Sequence, residues 1–272
     1  MGRVGKTVDL GYERTHCVEI SPKSGITIGK VHGIGAREMQ QDSFGVSDTG
    51  EESIEDKGIF LIVADGMGGM SGGEKASMAA VVACLDYFDT YDMNEDIAGE
   101  LTDMMCEANA QVKSVLGASG EIGGSTAVAI RIKDNEMYWI SVGDSHIYVY
   151  REETLTQLNQ EHVYAVRLAE KVSRGEISEE EAANDPQRKA LTSYLGVEEL
   201  EEIDGNSEPF LLQSKDRVLL MSDGVFNTLS DEEIMEAMEF TAEKAAINIG
   251  MQIEQKKRKG QDNYTALVVE ML

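Results

Sequence analysis

The stretch "LIVADGMGG" (residues 61–69) joins an apolar run to an aspartate and then to three glycines. With the residues just before it, "GIFLIVA" (58–64), it predicts a strand that is buried on both faces. Asp65 stands where this strand ends. A carboxylate in such a place is costly to desolvate unless a partner or an ion compensates its charge. Asp65 is therefore a candidate functional residue, although a lone Asp-Gly pair is most simply a turn.

Other strand ends repeat the arrangement. Predicted apolar strands border Asp144, Asp223 and Asp262, and a further short strand is predicted to begin at Asp42. One such aspartate is weak evidence for a site, but four strands with an aspartate at the same kind of boundary are stronger evidence. If these strand ends converge, several carboxylates share one cleft, where each raises the pKa of the others unless cations compensate them.

The residue chemistry of this cluster favours hard metal ions. Carboxylate oxygens without His or Cys partners select Mg²⁺ or Mn²⁺ over zinc, and the four histidines form no HxH or HExxH pattern. We therefore predict a carboxylate site for one or two divalent ions. Such a site suits hydrolysis of a phosphate ester by an activated water. Arg37, five residues before Asp42, is a candidate phosphate ligand because guanidinium is a forked donor.

Strands are predicted in consecutive groups and not as regular βαβ units. Runs rich in β-branched, aromatic or other apolar residues occur at 25–31, 58–64, 125–132, 136–143, 146–151, 217–222 and 264–272. Two long helices interrupt these runs. The order favours an α+β fold, in which antiparallel sheets carry helices on their outer faces.

The helices carry readable signals. Ser71 and Glu74 form an S-x-x-E pair, which predicts a capping box at the start of the first helix. The second helix is predicted from about residue 94. Its apolar face is predicted to contain Ile97, Leu101, Met105, Ala108, Val112 and Val115. Residues 160–200 are polar, charged and helical, and we interpret them as a surface insertion between two core strands.

Composition excludes several classes of function. The chain of 272 residues has 50 acidic and 24 basic residues and a net charge of −26, so nucleic-acid binding is not expected, since that function needs a basic face. An anionic membrane surface is disfavoured for the same reason. No signal peptide and no run of about 18 apolar residues is found. The three cysteines have no CxxC spacing, and Cys84 and Cys106 are interpreted as core thiols, so we expect a reducing, cytoplasmic location.

Taken in chain order, the motifs resemble the metal-dependent protein phosphatases of the PP2C (PPM) type, bacterial branch. The resemblance extends from about residue 25 to 270 and rests on eight segments. They are "REMQQDS" (37–43), "VADGMGG" (63–69), "GGEKAS" (72–77), "GGSTAV" (123–128), "VGDSHIY" (142–148), "GEISEEEA…DPQRKALTSYLG" (175–196), "LLMSDGV" (219–225) and "QDNYTALVV" (261–269). Eight segments in the family's order are far more specific than any one of them.

The resemblance implies a fold and a domain plan. It implies a four-layer α-β-β-α sandwich, with two central antiparallel sheets flanked by helix pairs. Residues 25–272 would form the single phosphatase domain, and 160–200 would be the flap that affects the choice of substrate. Residues 1–24 would be an N-terminal extension or an edge strand.

The resemblance also implies roles for individual residues. Asp65 would bridge two Mg²⁺ or Mn²⁺ ions, one of them also bound by the Gly66 carbonyl. Asp223 and Asp262 would bind the other ion of the pair, and Asp144 would help Asp223 to hold a third. For the remaining two residues, Asp42 would orient the attacking water and Arg37 would bind the phosphate.

Three positions depart from the family pattern. Gln41 stands where members often have Glu, which removes one negative charge but keeps an oxygen acceptor. Met67 stands where many eukaryotic members have a His proposed as general acid, so the leaving group would need another proton donor. His146 stands where "GDSR" has its arginine, and we interpret it as a sheet residue near the site.

The function implied is hydrolysis of phosphoserine and phosphothreonine in phosphoproteins, without a phosphoenzyme. The substrates would be targets of a Ser/Thr kinase, and the protein is expected to be a monomer. Two alternatives stay open from the sequence. One is a pseudophosphatase that acts as a regulatory binding module, and the other is a phosphatase of a phosphorylated anti-sigma-antagonist protein.

Overall fold

Two antiparallel sheets stack face to face in the computed structural model, which describes residues 7–8, 17–18, 25–69, 71–91 and 96–272. The first sheet has the spatial order β1 (Thr7–Val8), β4 (Asp42–Val46), β5 (Ile59–Gly68), β7 (Ala127–Lys133), β8 (Glu136–Val142) and β11 (Asp204–Gly205), while β6 (Gly123–Ser125) pairs with β5 and β12 (Phe210–Leu211) pairs with β8. The second has the order β10 (Thr154–Gln157), β9 (His146–Arg151), β13 (Arg217–Met221), β14 (Tyr264–Met271), β3 (Ile26–Gly33) and β2 (Cys17–Val18).

Helices cover the outer face of each sheet. The helices of the described residues are, in chain order, α1 (Glu51–Lys57), α2 (Gly72–Thr90), α3 (Ile97–Ser119), α4 (Tyr164–Ser173), α5 (Glu179–Ala183), α6 (Asp223–Phe226), α7 (Asp231–Met238) and α8 (Ala242–Lys256). The long pair α2 and α3 packs on the first sheet, and α7 and α8 pack on the second. The predicted α-β-β-α sandwich is confirmed.

The apolar run that ends at Asp65 is buried on both faces because β5 lies between two cores. Phe60 and Ile62 face α2 and α3, whereas Leu61 and Val63 face the second sheet. All four side chains are fully buried. Burial of such a side chain contributes about 1.5–3 kcal/mol. A strand with two apolar partners cannot alternate in polarity, which explains the continuous run in the sequence.

The second sheet is built in the same way. Along β14, Leu267 and Val269 face the layer between the sheets, and Ala266 and Val268 face α8 and its neighbours. The seven predicted strand runs are confirmed as β3, β5, β7, β8, β9, β13 and β14. The short strands β10, β11 and β12 were not predicted, because two to four residues carry too little periodicity to be read.

Two details of the helices differ from the predictions. The first helix begins at Gly72 after Ser71, but the predicted capping box is wrong because the Ser71 hydroxyl donates to Glu121 Oε1 at 2.6 Å. Capping boxes are present instead at Ser178 of α5 and at Ser230 of α7. In each box the serine hydroxyl accepts from the backbone amide of the glutamate three residues later, and the carboxylate of that glutamate accepts from the serine amide.

The apolar face of α3 is shifted at its C-terminal end. Leu101, Met105, Ala108 and Val112 are buried as predicted, but the face continues to Leu116 while Val115 is exposed. Helical spacing from Val112 permits either position, so only the packing decides between them. One of the two core-thiol predictions is wrong. Cys84 is buried, but Cys106 lies on the exposed face of α3, because packing decides which face of this helix meets the sheet.

The segment 160–200 contains α4 and α5 and is tied back at its base. Val163 and Leu191 form an antiparallel bridge, and the Thr192 amide donates to the His162 carbonyl at 2.8 Å. Most of residues 1–24 lies outside the described part of the chain. Of these residues the structure describes only 7–8 and 17–18, which form β1, paired with β4, and β2, paired with β3. Across the described residues, no helix has both the length and the apolar composition needed to cross a bilayer.

Candidate active site

The predicted carboxylates gather at one end of the sandwich, where strands of both sheets begin or end. The predicted end of β5 at Asp65 is wrong, because the strand continues to Gly68 by pairing with β6. Asp42 and Asp65 lie directly opposite each other in the register of β4 and β5. Asp223 follows β13 and Asp262 precedes β14, and these two strands are paired. Asp144 lies in the loop between β8 of the first sheet and β9 of the second. The structure therefore brings together all five predicted aspartates.

Asp65 is at the electrostatic centre of this group. Burial is the main cause that raises the pKa of Asp65 well above its ordinary value, and the negative charge of Asp42 is the next. The charges of Asp223, Asp144 and Asp262 add to the effect. Like charges raise a carboxyl pKa only at short range. Thus the other four aspartates all lie close enough to destabilise an ionised Asp65.

Thr126 fixes the backbone at Asp65 and connects it to the loop of Asp144. The Thr126 amide donates to the Asp65 carbonyl at 2.9 Å, and the Asp65 amide donates to the Thr126 hydroxyl at 3.0 Å. The same hydroxyl is 2.7 Å from the Ser145 hydroxyl. Since Ser145 follows Asp144, this side chain sets the spacing between two of the predicted metal ligands.

Asp42 is buried, and one of its oxygens is held by two hydroxyls. Ser222 and Thr265 each donate to Asp42 Oδ2 at 2.7 Å. Burial raises the pKa of Asp42 to about 7, although the two hydroxyls oppose that rise. Sequence reasoning missed Ser222 and Thr265. Their one signal is position, because Ser222 precedes Asp223 and Thr265 lies in the "DNYT" segment.

Asp144 is also shielded from water. Burial raises the pKa of Asp144 to about 6, and the charges of Asp223 and Glu161 contribute. Glu161 lies at the base of the insertion, and its Oε1 is 2.5 Å from His146 Nε2. His146 is the first residue of β9, and its ring stacks on Phe226 with centroids 3.8 Å apart.

Arg37 lies beside the cluster and contacts Asp262. Its guanidinium donates to Asp262 Oδ2 at 2.5 Å, and this bond is the main reason that the pKa of Arg37 is raised. The Arg37 side chain is 55% exposed, so further guanidinium N–H groups face solvent. The charge of Arg37 lowers the pKa of Asp223, but burial and the charge of Asp262 raise it more.

Directly after Asp65, Gly66 has room for backbone and not for a side chain. A Cβ on Gly66 would lie 2.1 Å from the Gly73 carbonyl oxygen and 2.5 Å from that of Gln41. A Cβ on Gly73, at the start of α2, would lie 2.8 Å from the Gly66 carbonyl oxygen. Each glycine is therefore required by the other, and together they bring the backbone of β5 against the first turn of α2.

The segment 160–200 lies next to the same cluster. The His162 amide donates to the Gly143 carbonyl at 2.8 Å, and the Gly143 amide donates to His162 Nδ1 at 3.0 Å. These bonds tie the base of the insertion to the loop of Asp144. The positive charge of Lys189, in the same insertion, lowers the pKa of Asp223. Lys189 was not predicted, since an isolated lysine in a charged segment carries no pattern.

The donor set fits hard divalent cations. Five aspartates share one end of the sandwich, and four of them have raised pKa values. Divalent cations with oxygen preference would relieve that repulsion. Across the described residues, no three His, Cys, Asp or Glu side chains already converge in the geometry of a metal-binding group. Carboxylate side chains would therefore have to rotate to enclose an ion.

Comparison with known proteins agrees with this geometry. The family model described as Protein phosphatase 2C matches residues 29–248. The serine/threonine phosphatase stp of Listeria innocua is 34% identical over 244 residues, which cover 86% of this chain and 91% of that protein. The solved serine/threonine phosphatase of S. agalactiae is 25% identical, with a TM-score of 0.75 over 91% of this chain and 100% of that one.

A third similar protein was solved with metal. The catalytic domain of the phosphatase PstP, in complex with two manganese ions, has a TM-score of 0.70 and 24% identity over 90% of this chain and 97% of that one. At this level of identity the likeness concerns the fold. The family match covers most of the chain, and the L. innocua relative is matched over nearly its whole length. The chain belongs to the protein phosphatase 2C family of enzymes.

Proposed function

We propose that the protein hydrolyses phosphoserine and phosphothreonine in phosphoproteins with two Mg²⁺ or Mn²⁺ ions. The observation that carries the proposal is the cluster of five buried or half-buried aspartates, four of them with raised pKa values, in a chain of the protein phosphatase 2C family. Relatives named serine/threonine phosphatases support the substrate class, and the manganese complex of PstP supports the number and kind of ions.

The proposed ligands are those that the family resemblance implies, and the gathering of the aspartates supports them. Asp65 and the Gly66 carbonyl would hold one ion. Asp65, Asp223 and Asp262 would hold the second, and Asp144 with Asp223 would hold a third. When bound, these ions would supply Lewis-acid polarisation of the phosphate and activation of a water nucleophile. The residues of the chain would bind the phosphoryl group and position the attacking water.

Arg37 is assigned to the substrate phosphate. Its guanidinium is directed to the cluster by Asp262 and is half exposed. A planar fork of N–H groups can bind two phosphate oxygens at once. Its charge also compensates the phosphate next to several carboxylates. Arg37 therefore lowers the electrostatic cost of bringing an anionic substrate to an acidic site.

Asp42 is assigned to the attacking water. Ser222 and Thr265 bind Oδ2, which leaves Oδ1 as the acceptor for a water proton. Bound cations would favour the ionised form of this carboxyl, which can then accept a hydrogen bond from the water. Asp42 would thus orient the water.

A direct attack by water fits the cysteines that the structure describes. Burial raises the pKa of Cys84 to about 12, and its thiol is in the core under α2. Cys106 lies on the exposed face of α3. Neither thiol is proposed as a nucleophile, and the proposed reaction has no phosphoenzyme.

Substrate choice is assigned to the insertion 160–200. Its base is bonded to the loop of Asp144, and the positive charge of its Lys189 lowers the pKa of Asp223. The substrates would be phosphoproteins made by a Ser/Thr kinase. We further propose that the protein is a cytoplasmic monomer.

The test of the proposal is metal dependence. Purified protein, freed of metal with EDTA, is expected to cleave p-nitrophenyl phosphate and a phosphothreonine peptide only after Mn²⁺ or Mg²⁺ is added back. A phosphotyrosine peptide serves as the substrate control. Full activity after chelation would contradict the metal mechanism, and binding of Mn²⁺ by calorimetry without any turnover would favour the pseudophosphatase.

A further inference from the structure

Asp42 is connected through Thr265 of the other sheet to His32, which has no role in the mechanism proposed above. In the register of β3 and β14, His32 lies directly opposite Thr265. Their side chains therefore share the inner face of the second sheet. His32 Nδ1 is 2.9 Å from the Thr265 hydroxyl, and that hydroxyl donates to Asp42 Oδ2 at 2.7 Å. A continuous path runs from His32 through Thr265 to Asp42.

Counting hydrogens assigns the direction of this path. The Thr265 hydroxyl has one hydrogen and directs it to Asp42. It can therefore only accept at its other contact, and His32 Nδ1 must carry the hydrogen of the bond between them. Ser222 is organised in a similar way, because its hydroxyl donates to Asp42 and accepts from the Thr265 amide at 3.0 Å.

The surroundings hold the ring of His32 in place. It contacts the Phe44 ring edge-on, with centroids 5.3 Å apart and planes at 65°. Phe44 is two residues after Asp42 on β4 and faces the same side. His32 and Asp42 also line one groove of about 680 Å³ beside the loop that follows β3. The histidine is thus held by the same strand that carries its distant acceptor.

We propose that His32 is a positioning residue for the reaction, which donates from Nδ1 to Thr265 and so fixes the Thr265 hydroxyl toward Asp42. This inference rests on the proposed function, because Asp42 matters there as the acceptor for the attacking water. Without the donor at His32, the Thr265 hydroxyl is free to rotate away. One of the two bonds that orient the Asp42 carboxylate is then lost for part of the time.

The test is a double-mutant cycle on Mn²⁺-dependent hydrolysis of p-nitrophenyl phosphate, using His32→Leu, Thr265→Val and the double variant. His32→Leu is expected to lower kcat roughly 10-fold, the lower end of the range for residues that orient a metal site. If His32 acts through Thr265, His32→Leu causes no further loss in the Thr265→Val background. An equal loss in both backgrounds would overturn the proposal.

Two further variants separate this role from simple packing. His32→Asn places an amide N–H near the position of Nδ1 and is expected to restore most of the kcat that His32→Leu loses. Thr27→Val is the control for Thr265→Val, because it makes the same chemical change at the far end of β3, where the hydroxyl contacts Glu270. It should leave kcat unchanged. If His32→Asn is as slow as His32→Leu, donation from this position is not the cause.

A spectroscopic readout makes the result independent of turnover. ¹⁵N NMR of the metal-free protein is expected to show His32 protonated at Nδ1, and an unprotonated Nδ1 would overturn the assignment. If wild-type protein shows no metal-dependent activity, the proposed function fails while this spectrum still reports on the path. If wild-type protein is active and the cycle is additive, the path alone fails.

Discussion

At the scale of single residues, the candidate active site is a set of carboxylates whose charges oppose one another. Asp65 shows this best, since burial and four neighbouring aspartates all raise its pKa. Asp223 is next to it, and a hydrogen bond with Asp65 partly offsets the rise in the pKa of Asp223. Such a group is stable as a charged cluster only with cations. Single substitutions should therefore act on metal affinity before they act on the fold.

Asp223→Asn is expected to lower Mn²⁺ affinity and to reduce kcat by at least about 100-fold, because a Lewis-acid ion contributes several kcal/mol to the transition state. Calorimetry with Mn²⁺ and steady-state kinetics measure the two effects. Asp56→Asn is the matched control, since Asp56 is exposed on α1 at the opposite end of the β4–β5 hairpin. Wild-type activity in Asp223→Asn would remove Asp223 from the metal site.

At the scale of elements, the end of β5 is held against the first turn of α2 by glycines. Gly66 and Gly73 face each other so closely that neither has room for a side chain. By contrast, Gly69, three residues after Gly66, has no atom within 4 Å of the position that a Cβ would take. These two glycines that follow Asp65 thus differ: Gly66 is under steric constraint, and Gly69 is not.

Gly66→Ala is expected to destabilise the metal-free protein by about 1–3 kcal/mol, as overpacking of a tight site does, and to weaken Mn²⁺ binding by displacing the Gly66 carbonyl. Gly69→Ala should leave both properties close to wild type. Urea unfolding and calorimetry measure the pair side by side. Equal behaviour of the two variants would show that the contact with Gly73 relaxes without cost.

At the scale of the whole molecule, acidic charge couples stability to pH and metal. Burial and neighbouring carboxylates raise the pKa of Asp144 to about 6 and that of Asp42 to about 7, above the ordinary value of 3.8. The folded state thus binds these protons more tightly than the unfolded state does. Their protonation stabilises the fold below pH 3.8, and this contribution is lost as the pH rises through about 6 to 7.

Asp144→Asn should therefore be more stable than wild type in metal-free buffer above about pH 6, by up to about 3 kcal/mol. The difference should shrink as the pH falls toward 3.8. Urea midpoints across this pH range measure it, again with Asp56→Asn as the control. A difference that grows as the pH falls would mean that Asp144 is stabilised as an anion and that its pKa is not raised.

The sequence by itself predicted the layered fold, which the structure confirms, and the aspartates that the structure brings together. The strand runs are long and apolar because both sheets are buried on two faces, and periodicity reports such burial directly. Aspartates at strand ends were recognisable because a charge next to an apolar run is unusual. The resemblance added the order of the motifs, and the comparisons confirmed the family.

Only the tertiary structure decided what contacts these aspartates. Ser222 and Thr265 meet Asp42 through the stacking of two sheets, and His32 meets Thr265 through the pairing of β3 with β14. No local pattern encodes contacts between residues 180 to 233 positions apart. The choice of Leu116 over Val115 in the core and the exposure of Cys106 were likewise settled by packing. Sequence patterns report the environment of a residue along its own element, whereas a site made by several elements depends on their relative placement, which is fixed by the cores between them.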